Sequence, residues 1–191
     1  MTADTTSRAF FEGKYQASAD PWNFASSQYE LARYEAIINA ITGRRFKRLF
    51  EPGCSVGVLT RQLARCCDRV DAIDISPTAV AEAKYRCREC ANTYITCESL
   101  LHLSSWAPFD LLIFSEVGYY FEEQTLRKIL LTLMSWLEPS GTIVACHWLG
   151  QSVDHLLSGD RVHEIIAESN ELTQLCSERH PNFRLDCWGY K

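Results

Sequence analysis

The apolar positions change period several times along the chain, and each change marks an element. Leu31, Tyr34, Ile37, Ile38 and Ile41 recur at helical spacing, which predicts a helix stopped at Gly43. Residues 48–51 read as a short strand that ends in EPGCSVG, and Val58, Leu59, Leu63 and Ala64 return to helical spacing. VDAIDIS at 70–76 is a strand. Ser76-Pro77 then starts a helix, a capping side chain followed by proline at the first helical position, which runs to about Cys90. A third strand spans 94–97, and DLLIFS at 110–115 is a continuous apolar run, the pattern of a strand covered on both faces. Leu126, Ile129, Leu130, Leu133, Met134 and Leu137 give the plainest amphipathic helix, ended by Pro139-Ser140-Gly141, before a buried strand at 142–146.

Strand and helix alternating with short connections predict an α/β fold with a parallel sheet covered on both faces. The end of the chain breaks the alternation. After a helix near 161–169, residues 172–180 and 183–188 are β-like and separated only by Pro181-Asn182, a connection that permits an antiparallel hairpin and no crossover. In such open sheets the ligand sits outside the carboxyl ends of the strands. That rule selects residues 51–57, 74–76, 97–100, 115–120 and 147–150.

Composition narrows the class. A chain of 191 residues is long enough for one domain with a full core, and 47% hydrophobic with 23% charged residues excludes a disordered tail. The net charge of −5 argues against general binding to nucleic acid or to an anionic membrane. No apolar run reaches the length of a membrane span, and no basic segment precedes an apolar core near the N-terminus, so neither membrane insertion nor a signal peptide is expected. The nine cysteines are odd in number and irregular in spacing, which fits reduced thiols in a cytoplasm better than a disulfide framework. Cys87 and Cys90 have zinc-ligand spacing, but no second pair follows and the surroundings read as helix, so no metal is expected. The basic run 44–48 reads as a solvated edge, and His102, His155 and His180 are given no chemistry.

The chemistry gathers at the strand ends. In EPGCSVG, Gly53 and Gly57 allow a tight turn and close backbone approach to a ligand. The loop departs from the dinucleotide fingerprint, with Ser55 at the middle glycine and Val58 at the last, and Glu51 before it suits a cationic group better than a pyrophosphate. Ser55 is expected to keep an ordinary right-handed or extended backbone. Asp74 ends the second strand, where a carboxylate can accept from both hydroxyls of a ribose, while Ser76 serves as the cap of the following helix. Glu98 or Ser99 follows the third strand, where an adenine edge would lie.

Together these residues resemble the class I S-adenosylmethionine-dependent methyltransferases over nearly the whole chain. EPGCSVG resembles that family's cofactor loop, Asp74 its ribose acid, FDLLIFSEVGYYF at 109–121 its fourth strand and following loop, and LEPSGTIV at 137–144 its turn into the fifth strand. Ser55 and Ser140 stand where glycine is common. A narrower resemblance rests on the leader, with Tyr15, Asp20-Pro21-Trp22-Asn23-Phe24 and Ser27-Gln28-Tyr29-Glu30 ahead of Arg33-Tyr34. It extends to SEVGYY, His147-Trp148, GDRVHE at 159–164 and FRLDCW at 183–188. In these segments the chain is similar to the nodulation protein S methyltransferases, whose best-characterised members are implied to N-methylate the free amine of a deacetylated chitin-type oligosaccharide.

The resemblance implies a Rossmann-like, mostly parallel seven-stranded sheet with a C-terminal antiparallel hairpin. It implies a leader and helix over 1–43 acting as a lid, and a methyltransferase core over 44–191, one structural domain overall. The implied cofactor is S-adenosyl-L-methionine, with S-adenosyl-L-homocysteine as product, held by Trp22, Arg33, Glu51, Gly53, Cys54, Ser55, Gly57, Asp74, Ile75, Glu98, Ser99 and Ser115. Two of these carry a second reading: Trp22 as a hydrophobic plug on the sheet, and Arg33 as a surface ion pair with Glu30. An amine attacks only when neutral, so Glu116, His147 and His163 are the candidate proton acceptors. Tyr119, Tyr120, Trp148 and Asp160 are the candidate acceptor contacts. The expected partner is a small molecule, an amino sugar or oligosaccharide, and not nucleic acid; the residues give no oligomeric state. O-methylation of another metabolite and non-catalytic binding of the cofactor are the alternative functions.

Overall fold

A computed structural model describes residues 7–103 and 105–190. The chain packs as two compact units, Met1–Leu103 and Ser104–Lys191. The division falls after Leu103 and not after residue 43, so the leader packs with the loop-bearing unit.

The first unit opens with a helix that the apolar pattern does not announce, α1 (Arg8–Ala17), capped by the Ser7 hydroxyl, which accepts from the Phe10 N–H at 3.2 Å. Next come α2 (Gln28–Ile41), β1 (Leu49–Pro52), α3 (Val58–Leu63), β2 (Val70–Asp74), α4 (Pro77–Arg86) and β3 (Thr93–Cys97). The strands lie in the order β3-β2-β1 and pair in parallel. β1 and β2 are buried at every position, so the carboxylates Glu51, Asp71 and Asp74 are carried into the interior by their strands. α4 begins as expected, with Pro77 at its first position and the Ser76 hydroxyl accepting from the Ala79 N–H at 3.1 Å.

The second unit contains β4 (Phe109–Ser115), α5 (Glu123–Met134), β5 (Leu137–Trp148), α6 (Gly159–Ala167), β6 (Leu172–Arg179) and β7 (Phe183–Tyr190), in the strand order β4-β5-β7-β6. β4 and β5 are parallel, and β5–β7 and β7–β6 are antiparallel, which gives the expected C-terminal hairpin. Leu137, read as the last position of a helix, is the first residue of β5. Phe109 pairs with Leu137 but Leu111 already pairs with Thr142, so Pro139-Ser140-Gly141 bulge out of the strand as inserted residues.

The cysteine reading holds in part. Cys54, Cys66, Cys67, Cys87, Cys90, Cys97 and Cys146 lie outside any disulfide, whereas Cys176 and Cys187, partners in the β6–β7 register, are joined by one. Among the described residues no helix is long and apolar enough to cross a membrane, and no group of three His, Cys, Asp or Glu side chains is placed to hold a metal.

Candidate functional site

The loop after β1 is tied to β2 by two backbone bonds, from the Gly53 and Cys54 N–H groups to the Ile73 carbonyl at 2.8 and 2.9 Å. Gly53 is exposed with φ +74°, leaving open backbone at the strand end. Gly57 also has a positive φ, +76°, and a Cβ there would lie 2.9 Å from the Ala83 backbone, so glycine is required both by conformation and by the packing of α4. Ser55 departs from expectation. Its φ is +49°, in the left-handed region that costs a non-glycine residue of order 1 kcal/mol. Two hydrogen bonds offset that cost. The Ser55 N–H donates to Asp74 Oδ2 at 2.9 Å, and Tyr15 Oη donates to Ser55 Oγ at 2.5 Å.

Asp74 is therefore oriented from both sides, since its Oδ1 accepts from the Ser76 N–H at 2.9 Å. Burial pushes its carboxyl up to about 6 in spite of these N–H donors. Glu51 is more strained electrostatically. It is buried, its Oε2 has no hydrogen-bond partner among the described residues, and burial raises it to about 8. A buried carboxyl with one unpartnered oxygen, close enough to Arg33 to feel its charge, beside open glycine backbone and a fixed second carboxylate fits a ligand that carries both positive charge and vicinal hydroxyls. The cofactor expected from the sequence has those groups, and Glu51, Gly53 and Asp74 are the residues that would hold them.

The remaining residues expected at the cofactor fall into place around this loop or apart from it. Cys54 is buried, and burial lifts its thiol well above the ordinary value. Ile75 is half-buried beside Asp74, the Glu98 N–H extends the ladder to the Asp74 carbonyl at 3.0 Å, and the Ser99 hydroxyl caps a short 3₁₀ turn, Leu100–His102. Ser115, at the end of β4, belongs to the other unit. Trp22 sits in an apolar cluster with Tyr15, Phe24, Val56, Val58 and Ala79, its ring 5.4 Å from that of Tyr15 and 5.6 Å from that of Phe24. Arg33 is ion-paired with Glu30, but the pair is buried, not on the surface, and the guanidinium lies over the Tyr34 ring.

Glu12 is a site residue that the sequence reading misses. Its carboxylate accepts from Ser76 Oγ at 2.6 Å and Thr78 Oγ1 at 2.5 Å, clamping α1 onto the start of α4. Those bonds hold it down at about 2. The only cue in the sequence is the single acid of the weakly patterned segment that forms α1.

In the second unit the chain turns sharply after β4. Glu116 has φ +57°, and its carboxylate accepts from the Trp148 N–H at 2.6 Å and from Tyr119 Oη at 2.7 Å, joining the ends of β4 and β5. It is half-buried, so a carboxylate edge stays within reach of a ligand. The histidines expected beside it are placed differently. His147 and His163 are both wholly buried. The Gly118 N–H donates to His147 Nε2 at 3.1 Å, so that nitrogen carries no proton, and the neutral ring carries its proton on Nδ1. Nδ1 lies 3.1 Å from His163 Nε2, and His163 Nδ1 lies 2.7 Å from Asp186 Oδ2. Arg184 Nε, 2.7 Å from the same oxygen, supplies the charge that balances Asp186. Burial keeps His163 below the ordinary histidine value even with Asp186 adjacent.

Both nitrogens of each ring are thus spent inside the protein, which corrects the expectation that His147 and His163 meet a substrate. Their reading from position along a strand and helix takes no account of Asp186, a residue contributed by β7. Asp160 is half-exposed and ion-paired, since Arg179 clasps it with two bonds at 2.7 and 3.0 Å and Arg184 adds a third at 3.2 Å.

Tyr119 is buried and cannot offer a face to a sugar, because the His155 ring stacks on it at 3.7 Å between centroids. Tyr120 and Trp148 are half-exposed and meet His155 edge-on at 5.2 and 5.9 Å. Gly150 makes room for this arrangement, since a Cβ there would fall 1.9 Å from the Trp148 ring. His155, given no role from the sequence, is the centre of the cluster.

Known proteins resemble this chain in sequence and in fold. A family model described as nodulation protein S matches residues 7–182. Nodulation protein S of Sinorhizobium fredii (strain NBRC 101917 / NGR234) is 29% identical over 140 residues, 72% of this chain and 63% of that protein. The Bradyrhizobium diazoefficiens protein of the same name is 28% identical over 130 residues, 65% of this chain and 61% of that protein. The matches thus span less than two thirds of these relatives' length. The crystal structure of N-methyltransferase NodS from Bradyrhizobium japonicum WM9 with S-adenosyl-L-homocysteine is similar at TM-score 0.82 and 23% identity, covering 98% of each chain. Magnesium protoporphyrin IX methyltransferase from Synechocystis PCC 6803 with bound cofactor is similar at TM-score 0.72 and 15% identity, covering 96% of this chain and 97% of that one. At such identities the likeness carries the fold, the seven-stranded, mostly parallel α/β fold of the class I methyltransferases. It does not carry the acceptor.

Proposed function

The chain belongs to the nodulation protein S family, and from that premise we propose that it is an S-adenosylmethionine-dependent methyltransferase acting on the amine of a small molecule. The observation that supports this reading most is the pairing of an oriented Asp74 with a buried Glu51, one of whose oxygens has no hydrogen-bond partner among the described residues, at open glycine backbone. A nicotinamide dinucleotide would bring a pyrophosphate to that loop, where the buried Glu51 carboxyl, raised to about 8, offers it no positive partner.

When bound, the cofactor supplies an activated methyl group on a sulfonium. The protein's task is then to hold an acceptor in line and keep it neutral, and positioning of this kind is worth on the order of 7–11 kcal/mol. Asp74 takes the ribose hydroxyls and Glu51 faces the cationic end. The leader, latched through Glu12 and Tyr15, serves as the lid over the loop. Glu116 orients the ammonium or amine of the acceptor, and Tyr120 and Trp148 give its ring apolar edges. The acceptor we propose is an amino sugar or chitin-type oligosaccharide, and the name of the solved relative, an N-methyltransferase, supports the amine. Seven cysteines outside any disulfide favour a cytoplasmic location, and the Cys176–Cys187 bond is the feature that speaks against it.

Calorimetric titration tests the cofactor half of this reading. S-adenosylmethionine and S-adenosylhomocysteine should bind and NAD should not. Asp74→Ala should weaken binding at least about a hundredfold with the fold intact, since two charged hydrogen bonds of about 1.5–3 kcal/mol each are lost. Unchanged affinity in that variant, or preference for NAD, would overturn the assignment.

A further inference from the structure

The proposed reaction releases a proton from the acceptor nitrogen, and the two buried histidines have no free nitrogen to take it. His155 does. Among the described residues neither of its ring nitrogens has a hydrogen-bond partner, although the ring itself is held on three sides. Its face lies on Tyr119 at 3.7 Å and 18° between planes, and the rings of Tyr120 and Trp148 stand edge-on to it. Its backbone is fixed too, by its N–H to the Ser152 carbonyl at 3.1 Å, while the next two residues donate to the Tyr119 carbonyl at 2.8 and 3.2 Å. A half-buried ring so constrained, with both polar atoms unspent, is placed to meet a ligand. The Tyr119 side chain on which it stacks donates its hydroxyl to Glu116.

We infer that His155 is the acceptor-facing imidazole of this protein, hydrogen-bonding the acceptor next to Glu116 and taking the proton that its nitrogen releases. The inference rests on the methyltransferase reading above. In the step, the amine nitrogen forms a bond to the methyl carbon, the methyl–sulfur bond breaks with its electron pair staying on sulfur, and one N–H proton passes to a ring nitrogen of His155. The groups around the ring suit that task. Burial lowers the imidazole below its ordinary value, with Asp154 pulling the other way, so it is neutral at pH 7. The turn carries Tyr119 and Tyr120, with Glu116 behind Tyr119. The end of β5 brings only the indole of Trp148.

The test uses the full chain, a glucosamine tetramer as probe acceptor, and the variants His155→Phe and His155→Gln. Phenylalanine keeps the stack on Tyr119 and removes both nitrogens; glutamine restores a hydrogen bond but accepts no proton at neutral pH. Calorimetry with S-adenosylmethionine should be unchanged in both. His155→Phe should lower kcat roughly a hundredfold, within the usual range for acid–base assistance, and raise KM. His155→Gln should recover the KM and not the kcat, and should lack the wild-type loss of kcat at acid pH. Independently of turnover, adding the tetramer to wild type should shift the His155 imidazole NMR signals and leave those of His147 and His163 in place. Wild-type kcat and KM in His155→Phe, or ligand shifts at His147 in place of His155, would overturn the inference. The wild-type arm reports on the underlying reading by itself, since absence of methyl transfer to the tetramer and to a wider amine panel fails that reading, whereas active wild type with indifferent variants fails only the role of His155.

Discussion

Glu51 and Asp74 make the site costly to the empty protein, and that cost has a pH signature. Their folded values, about 8 and about 6, lie above the ordinary 4.5 and 3.8. Carboxyls raised in this way favour the folded state fully below their ordinary values, and the contribution is lost as pH rises through the folded values. The cofactor-free protein should therefore melt at lower temperature as pH climbs from about 5 to about 9 on this account. Glu51→Gln should flatten the dependence above pH 7 and raise the melting temperature there while weakening S-adenosylmethionine binding. Thermal melts across pH on both proteins check it, and a parallel pH dependence in the two would place the effect elsewhere. At the same scale, Gly118 has no room for a side chain, since a Cβ would lie 2.5 Å from Val162 Cγ1 and 3.1 Å from His147 Nε2. Gly118→Ala should cost roughly 1–3 kcal/mol in urea unfolding. The placement of Asp74 at the end of β2 and of the glycine loop after β1 is legible in the sequence because it depends on one strand end and one turn. The fate of His147 is not, because it is decided by a glycine 29 positions before it and an aspartate on the hairpin, which no local pattern connects.

Among the elements, the leader helix α1 is the one that most depends on tertiary contact. RAFFEGKYQA has no sustained apolar stripe, and its single buried residue is Tyr15. What orders it is the Glu12 clamp on α4 and the Tyr15 bond to Ser55, both invisible to a reading of periodicity. Glu12 is depressed from 4.5 to about 2, so its contribution is present above the ordinary value and lost as pH falls toward 2. Amide exchange in α1 should stay slow down to about pH 4.5 and speed up below it, whereas Glu12→Ala should expose α1 to exchange and proteolysis already at neutral pH. Equal protection in wild type and Glu12→Ala would mean that the clamp does not hold the helix. β5 teaches the complementary lesson. Pro139-Ser140-Gly141 carry a true turn signal, but the flanking Leu137 and Thr142 both pair with β4, so the turn is spent as a bulge within one strand.

For the whole molecule, alternation of short strands and helices followed by a tight hairpin is enough to give the class of fold, because right-handed crossovers leave few ways to assemble it. One fold hosts many functions, and the turn after β4 and the loop after β5, to which the proposed function assigns the acceptor, are where sequence rules are weakest. The central claim is methyl transfer from S-adenosylmethionine to a small-molecule amine. It is tested most directly by incubating the protein with cofactor labelled in the methyl group and a panel of amines that includes glucosamine oligomers, then locating the label by mass spectrometry. The account predicts label on an acceptor nitrogen with wild type and none above background with Asp74→Ala. Retention of all label on the cofactor by a wild-type protein that binds it would contradict the account and leave a binding module in place of an enzyme.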